Sequence, residues 1–272
     1  MTKRQARIRL ARLLAGAAVG GLLALTAGGC KTLESPDTTA ALGATPPVAS
    51  NADARGDLEA LAARYRANPR DAETAIQYAR ALRETGQRSQ AVAVLEQAAM
   101  HDPDNKRLLG AYGRALADAG NYGQALDVLG RAHTPDQPDW HILSAQGAVL
   151  DQMGRHEEAQ RYYASALKIA PDEPSVLSNL GLSYALSRDL TRAEATLRRA
   201  TTQSRVVDPR VRQNLALVVG LQGRFTEAEN IARADLPPEE ATANVAYLRD
   251  MLSRKNDLKK IARPASVVDA GG

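Results

Sequence analysis

The chain has 272 residues, of which 44% are hydrophobic, 24% charged and 4% aromatic. Its 35 basic and 31 acidic residues give a net charge of +4, but five basic residues and no acidic ones lie in residues 1–29. The remainder carries 30 basic against 31 acidic residues, a net charge of −1. This balance, without a long basic run, gives no reason to expect nucleic-acid binding. The low aromatic content indicates a core of leucine and alanine.

Residues 1–29 have the pattern of an export signal. They begin with a basic head, whose charged residues are Lys3, Arg4, Arg7, Arg9 and Arg12. An apolar core of about fifteen residues follows, from Leu13 to Ala27, which is too short to span a bilayer as a stable helix. We therefore predict a signal peptide that is not part of the folded domain.

The signal ends at Cys30, the single cysteine of the chain. The sequence Ala27-Gly28-Gly29-Cys30 resembles the cleavage box of bacterial lipoproteins, which implies that Cys30 is the lipid attachment site. Lys31 follows, and not the aspartate typical of inner-membrane retention, so the resemblance implies an outer-membrane protein that faces the periplasm. The alternative is an ordinary signal peptide cut at Ala27 or Gly29, which leaves a free thiol with no disulfide partner.

Two segments separate the cysteine from the main part of the chain. Residues 30–52 are rich in threonine, alanine and proline, and we predict that they form a flexible tether. Residues 53–71 are predicted to form a capping helix, the remnant of a degraded first repeat. Its apolar residues recur at helical spacing: Leu58, Leu61, Ala62 and Tyr65.

A pattern with a period of 34 residues recurs five times within residues 72–239. The repeats begin at Ala72, Lys106, Trp140, Pro174 and Pro209. Position 8 is always small: Ala79, Gly113, Gly147, Gly181 and Ala216. Position 20 is always alanine: Ala91, Ala125, Ala159, Ala193 and Ala228. Positions 4, 7, 8 and 11 lie on one stripe of a first helix, and positions 20, 24 and 27 lie on one stripe of a second.

Each of these positions has a physical role. Small residues at positions 8 and 20 allow the two helices to approach closely. Position 15 ends the first helix in a left-handed conformation and is glycine in four repeats. Arg188 takes this place in the fourth repeat, where we predict a positive φ at a cost of about 1 kcal/mol. The pattern resembles the tetratricopeptide repeat, which implies an all-α, right-handed solenoid of helix-turn-helix units.

The joints between repeats are less regular than the repeats. Position 32 is proline at two of them, Pro103 and Pro171, and a proline there ends the second helix. Gln137 and Arg205 stand at position 32 of two other joints and Glu239 stands next to it at the last, so we expect longer or shifted linkers at these three joints. Arg212 stands at position 4 of the fifth repeat, where the other repeats have alanine or leucine.

The carboxy-terminal part is predicted to close the array. Residues 240–262 form a capping helix in this interpretation, in which Tyr247, Leu248 and Leu252 cover the apolar face of the fifth repeat. Residues 263–272 are predicted to be a disordered tail. The repeats and the two caps together are predicted to form one all-helical domain of about 210 residues.

The residue patterns of catalysis are absent from the sequence. The segment His156-Glu157-Glu158 begins like a zinc-protease helix but lacks a second histidine four residues on. No phosphate-binding loop, nucleophile elbow or metal-ligand spacing occurs. The histidines fall at repeat joints or helix starts, where we expect surface side chains that are hydrogen-bonded within the protein or solvated by water: His101, His133, His141 and His156. We therefore predict no enzymatic activity, cofactor, metal or small-molecule substrate.

A protein-binding surface is the remaining candidate. In the repeats that this pattern resembles, positions 2, 5, 6, 9, 12 and 13 of the first helices line an inner face, and asparagine at position 6 binds the partner's backbone. The residues predicted to line it include Ser144, Asp151 and Ser178. The protein-binding candidates are Asn179, Asn214, Arg210, Gln213, Arg114 and His141. Asn179 and Asn214 stand at position 6, and both side chains are expected to point into solvent.

The carboxy-terminal segments resemble a more specific group of proteins. They are residues 208–229, 234–241 and 244–249, and they are similar to TadD-like lipoproteins of the tight-adherence (Tad/Flp) pilus assembly system. The resemblance implies an outer-membrane lipoprotein that helps a secretin or other pilus components to assemble. A pilotin-like or scaffold lipoprotein of another envelope system, such as peptidoglycan-hydrolase recruitment, shares every feature up to residue 206. An unlipidated periplasmic repeat protein is the third alternative.

Replacement of Cys30 tests the predicted anchor. The Cys30→Ser variant should accumulate as uncut precursor or as soluble protein, because cleavage and acylation both require the thiol. Each buried CH₂ of an acyl chain contributes about 0.8 kcal/mol to membrane binding, so variant protein that is cut but not acylated should leave the membrane fraction. Labelled palmitate measures the modification, and equal labelling of wild type and variant would contradict the assignment.

Overall fold

The computed structural model describes residues 49–202 and 207–261, and these residues form helices without strands. Cys30, the signal peptide, most of the tether and the predicted tail at 263–272 lie outside the described residues. In chain order the helices are α1 (Ala49–Ala67), α2 (Ala72–Glu84), α3 (Arg88–His101), α4 (Lys106–Asp118), α5 (Tyr122–Arg131), α6 (Trp140–Gln152), α7 (His156–Ile169), α8 (Pro174–Leu186), α9 (Leu190–Thr202), α10 (Pro209–Leu221), α11 (Phe225–Ala232) and α12 (Pro238–Ile261). Within this described part, no helix combines the length and the apolar character needed to cross a bilayer.

The helices group into two compact units, where the sequence predicts one continuous domain. The first unit contains α1 to α5, in a continuous stretch up to Thr134, and also the short segment Gln152–Gly154. The second begins at Pro135 and contains most of α6 and all of α7 to α12. The boundary lies in the irregular joint at residues 132–139. Helix α1 begins at Ala49, inside the segment predicted as tether.

Each repeat is a hairpin whose two helices meet at position 8. A Cβ added at Gly181 would lie 2.6 Å from Cγ of Leu197, and one at Gly147 would lie 2.7 Å from the Tyr163 ring. Distances this short exclude any side chain at these positions unless the neighbour moves. The five alanines at position 20 are fully buried, with 0% exposure. The close helix approach predicted from positions 8 and 20 is therefore confirmed.

The turn inside each hairpin needs a left-handed residue. Glycine provides it in four repeats, for example at Gly86 and Gly223, whose φ angles are 78° and 86°. Arg188 adopts φ = 70° at the same place, which confirms the prediction for the fourth repeat. Its amide donates a hydrogen bond to the carbonyl of Ala185, so the arginine reproduces the turn in spite of its side chain.

The starts of first helices are marked by capping side chains. Asp71 accepts a hydrogen bond from the Thr74 amide at 3.1 Å, and Asn105 accepts one from Leu108 at 3.0 Å. Asp208 and Pro209 open α10 in the same way, with proline in the first turn. These caps satisfy amides that have no partner within the helix.

Two of the three irregular joints are longer than the proline joints, and Arg205 of the third lies outside the described residues. Residues 132–139 separate α5 from α6 and residues 233–237 separate α11 from α12, compared with 102–105 and 170–173 at the two proline joints. At the last of these joints, Asp235 forms a two-pronged ion pair with Arg212. The polar residue at position 4 of the fifth repeat is thus matched by a carboxylate from the joint that follows it.

Helix α12 packs on the last hairpin through three side chains. Ala241, Val245 and Leu248 are 0%, 6% and 7% exposed, and Leu248 reaches the backbone of α10 at Gly220. The prediction that Tyr247 belongs to this face is wrong, since its side chain is 66% exposed. The buried residues follow a 241, 245, 248 spacing, which turns the adjacent position 247 outward.

Substitutions at neighbouring positions of α12 should distinguish its buried face, at Leu248, from its exposed face, at Tyr247. We expect Leu248→Ala to lower the free energy of unfolding by about 2–5 kcal/mol, because it removes a buried leucine beside a glycine backbone. Tyr247→Ala is the matched control and should change it by less than about 0.5 kcal/mol. Urea denaturation followed by circular dichroism measures both values. Similar losses in the two variants would contradict the assigned face of α12.

Candidate functional site

The two candidate asparagines lie on first helices of consecutive repeats in the second unit. Asn179 lies on α8, and its amide nitrogen donates a hydrogen bond to Ser144 Oγ on α6 at 3.3 Å. Asn214 lies on α10, and its amide donates to Ser178 Oγ on α8 at 3.0 Å. The same contact thus occurs twice, from position 6 of one repeat to position 5 of the repeat before it. We call these four residues the Asn–Ser ladder.

The ladder corrects the expectation that both asparagines point freely into solvent. Asn179 and Asn214 are half-buried, and the serines that they contact are buried, with 8% exposure at Ser144 and 6% at Ser178. The first helices are close enough for position 6 to reach the neighbouring helix, which a single-helix pattern does not show. Each carboxamide has two N–H donors and a carbonyl oxygen, so one N–H and Oδ1 remain for a further partner.

Two other candidates lie on the same helix as Asn214. Gln213 is exposed, and the Arg210 side chain is 86% exposed. The guanidinium of Arg210 binds the carboxylate of Asp208, which also caps α10. This contact with Arg210 lowers the pKa of Asp208 and raises that of Arg210, so the pair stays charged over the physiological range. The structure therefore groups Arg210, Gln213 and Asn214 with Asn179 on adjacent helices.

The remaining two candidates are not part of this group. His141, in the first turn of α6, stacks on the Trp140 ring with centroids 3.5 Å apart and contacts Asp139 Oδ1 at 3.0 Å. Arg114 lies on α4 in the first unit, where it is half-buried. Binding roles for all six candidates stay predictions.

A buried carboxylate in the second unit was not anticipated from the sequence. Asp151, at the end of α6, is 8% exposed and accepts three hydrogen bonds. Its donors are His156 Nδ1 at 2.8 Å, Ser183 Oγ at 2.8 Å and Tyr163 Oη at 3.0 Å. The prediction that Asp151 lines the inner face is therefore wrong. His156 is also less exposed than expected, since 19% of its side chain is accessible.

The environment of Asp151 sets its protonation. Burial raises the pKa of this carboxyl, whereas its hydrogen bonds with His156, Ser183 and Tyr163 act in the opposite direction. Burial and the adjacent carboxylate raise the pKa of Tyr163, so the phenol remains a hydrogen-bond donor. A sequence signal did exist, because Ser183 stands at position 10, where the other repeats have alanine or valine. The hydrogen-bond partner of Ser183 lies in the preceding repeat and could not be identified from the pattern of one repeat alone.

The described residues hold no group of three or more histidine, cysteine, aspartate or glutamate side chains placed to bind a metal ion. Asp151, His156 and Ser183 do not form a nucleophile–base relay either. Ser183 donates to the carboxylate of Asp151, not to the imidazole, whereas a relay needs the serine bonded to the base. The arrangement is that of a structural hydrogen-bond network.

Models of the tetratricopeptide repeat match residues 86–147 and 144–206. Residues 86–206 are tetratricopeptide repeats. The all-α tetratricopeptide-repeat fold predicted from the 34-residue period is confirmed. No curated protein matches the chain. Tetratricopeptide repeats form protein-interaction scaffolds, and the matches support this functional class for residues 86–206.

Several solved structures are similar to this chain. The crystal structure of PilW, described as a widely conserved type IV pilus biogenesis factor, has a TM-score of 0.63 at 17% identity and covers 73% of this chain and 93% of PilW. A tetratricopeptide repeat protein from Parabacteroides merdae has a TM-score of 0.63 at 13% identity, covering 74% of this chain and 79% of that one. The Cut9–Hcn1 complex of APC/C has a TM-score of 0.58 at 15% identity, covering 74% of this chain and 41% of that one. At these identities the similarity shows the fold alone.

Removal of the buried carboxylate should destabilise the second unit. Asp151→Ala leaves the hydroxyl of Tyr163 without an acceptor and leaves Ser183 only the carbonyl of His156 at 3.5 Å, so we expect the free energy of unfolding to fall by about 2–4 kcal/mol. Asp151→Asn should cost less, because its carbonyl oxygen still accepts hydrogen bonds. Asp127→Ala, at an exposed aspartate, is the control. Equal urea midpoints for Asp151→Ala and Asp127→Ala would show that the network contributes nothing.

The same network predicts a pH dependence. Because burial raises the pKa of Asp151 above its ordinary value of 3.8, the folded chain binds this proton more tightly than the unfolded chain does. The stabilisation that comes from this tighter proton binding is therefore full below pH 3.8 and is lost as the pH rises through the raised value. Asp151→Asn should gain stability relative to wild type over that window. A pH-independent difference between their unfolding free energies would contradict the raised pKa.

Proposed function

We propose that this chain is a non-enzymatic, lipid-anchored protein of the outer membrane that binds and helps to assemble components of a Tad/Flp pilus machine, with the secretin as its partner. The binding surface in this proposal consists of the Asn–Ser ladder with Arg210 and Gln213. The repeats face the periplasm, held to the membrane through Cys30 and the segment that follows it.

The membrane part of the proposal is supported by the sequence at the amino terminus. An apolar core, two glycines and a lone cysteine occur in the order that lipoprotein processing requires. Lipidation also gives a purpose to a cysteine that has no possible disulfide partner in the chain. Lys31 favours the outer membrane over retention in the inner membrane.

The pilus part is supported by two similarities. The segments at 208–229, 234–241 and 244–249 are similar to TadD-like lipoproteins of the tight-adherence system. PilW, which has the same repeat fold over most of its length, is a type IV pilus biogenesis factor. A repeat scaffold with these features suits a role in pilus assembly better than that of an unlipidated periplasmic repeat protein.

The observation that carries the binding proposal is the Asn–Ser ladder. Each serine hydroxyl fixes the orientation of one carboxamide, so the remaining N–H and Oδ1 need not lose further rotamer freedom when a partner binds. A carboxamide pairs with one peptide unit by donating to its carbonyl and accepting from its amide. Two such groups on successive repeats can hold the backbone of one extended or helical segment.

A scaffold lipoprotein of another envelope system is the second candidate. It is favoured by the generic character of the repeats before residue 206, which match the family models without indicating any particular machine. Neighbouring genes for a secretin, an ATPase and a small pilin would support the pilus proposal. Neighbouring genes for peptidoglycan hydrolases would favour the second candidate.

Two double variants separate binding from stability in this surface. Asn179→Ala/Asn214→Ala removes at least one partner hydrogen bond per carboxamide, each worth about 0.5–1.5 kcal/mol, so secretin capture should weaken roughly tenfold or more. Ser144→Ala/Ser178→Ala removes the same ladder bonds but keeps both carboxamides, and it should retain more of the capture. Asn230→Ala, at an exposed asparagine on the second helix α11, should have no effect.

The measurement is the amount of secretin retained by full-length protein, together with the abundance of secretin multimers in cells. Melting temperatures show how much each variant loosens the repeats. Undiminished capture by the asparagine variant would exclude this surface. Equal losses in the asparagine and serine variants would show that the ladder acts through stability and not through direct contact.

A further inference from the structure

A pocket of about 150 Å³ lies on the first unit, between the first helices of its two repeats. Its walls come from α2, α3 and α4: Ile76, Ala79, Arg80, Arg83, Leu95, Ala111 and Arg114. We call it the arginine pocket. It contains none of the Asn–Ser ladder residues, which belong to the second unit.

The side chains that line the pocket are either aliphatic or basic. Four of its residues are aliphatic and three are arginines, so its side chains provide hydrogen-bond donors and no acceptor. Leu95 and Ala79 are buried, each with 1% exposure, and they form an apolar floor beneath the guanidinium groups. An occupant must therefore combine an aliphatic part with a group that accepts hydrogen bonds and carries negative charge.

Two of the arginines are held in place by carboxylates outside the pocket. Arg83 donates from Nε to Asp118 at 2.5 Å, and Arg80 donates from Nε to Glu84 at 2.9 Å. A guanidinium has five N–H donors, and these bonds use only the Nε donor of each. The terminal nitrogens of these two guanidinium groups thus remain available. Because the side chains are already oriented before a partner binds, they lose less conformational entropy on binding.

The size of the pocket restricts the occupant further. Sites for free small molecules are usually about 300–1,000 Å³, which is larger than this pocket. A volume of about 150 Å³ accommodates one amino-acid side chain. The carboxylate at a chain terminus would bring a peptide N–H into a pocket whose side chains offer no acceptor, whereas a glutamate side chain carries only methylenes between its carboxylate and its backbone.

We propose that the arginine pocket binds a glutamate side chain presented by an acidic segment of a partner protein. The carboxylate lies between the guanidinium groups of Arg80 and Arg83, and the methylenes of the glutamate contact the apolar floor. This gives the first unit a binding preference for acidic segments that does not depend on the identity of the protein bound by the second unit.

Nuclear magnetic resonance on the full chain tests this proposal with defined peptides. The probe is an N-acetylated, C-amidated alanine peptide that contains glutamates, and its matched control has glutamine at the same places. The glutamate peptide should shift the Nε–Hε signals of Arg80 and Arg83 in a saturable manner, and the glutamine peptide should not. Arg80→Gln or Arg83→Gln should weaken the fitted Kd about tenfold, since each removes one charge-assisted contact.

Arg161→Gln, at an exposed arginine of α7, is the control and should leave the Kd unchanged. Arg80 is 77% exposed on its side chain, so its replacement should keep the melting temperature of the wild type. Equal binding of the glutamine peptide, or unchanged Kd values in both pocket variants, would overturn the proposal. It would also be overturned if a glutamine peptide with a free terminal carboxylate, or vesicles of phosphatidylglycerol, shifted these signals while the glutamate peptide did not.

Discussion

The contact between position 8 and position 24 inside each hairpin is the constraint on which the rest of the fold depends. At Gly113, Gly147 and Gly181 the backbone of the first helix touches the position-24 side chain of the second, and an added Cβ would lie within 2.5–2.7 Å of it. Helices this close bury the position-20 alanines completely. A small core of leucine and alanine is then sufficient, because closely packed helices remove apolar surface from water without large aromatic anchors.

Polar contacts then link consecutive hairpins within the second unit. The Asn–Ser ladder and the bond from Ser183 to Asp151 cross from one first helix to the next at buried or half-buried positions. Exposed ion pairs also cross, such as Arg198 with Glu227, whose side chains are 45% and 38% exposed. Pairs of that exposure contribute little, typically below about 1 kcal/mol, whereas a buried donor left without its partner costs about 1–3 kcal/mol. The buried contacts therefore have more influence on how the hairpins stack.

The period of the sequence was sufficient to predict the helices, their buried stripes and the left-handed residue at Arg188. These features depend on residues within one hairpin, whose spacing is fixed by helix geometry. The Asn–Ser ladder, the burial of Asp151 and the outward position of Tyr247 depend on the distance and rotation between neighbouring helices. A pattern read along one helix does not contain that information, so Asp151 was placed on the inner face. The arginine pocket was missed for the same reason, because its lining comes from three different helices.

The central claim is that the inner face around Asn179 and Asn214 is where the chain contacts a secretin. Site-specific photocrosslinking in living cells tests it most directly, with benzoylphenylalanine placed at Gln213 and, in a separate strain, at Asn230. Both positions are exposed, so neither replacement should disturb the core. The account predicts that Gln213 crosslinks to the secretin and that Asn230 does not. Crosslinks to the secretin from Asn230 alone, or no crosslink from Gln213 in cells that assemble secretin multimers normally, would contradict it.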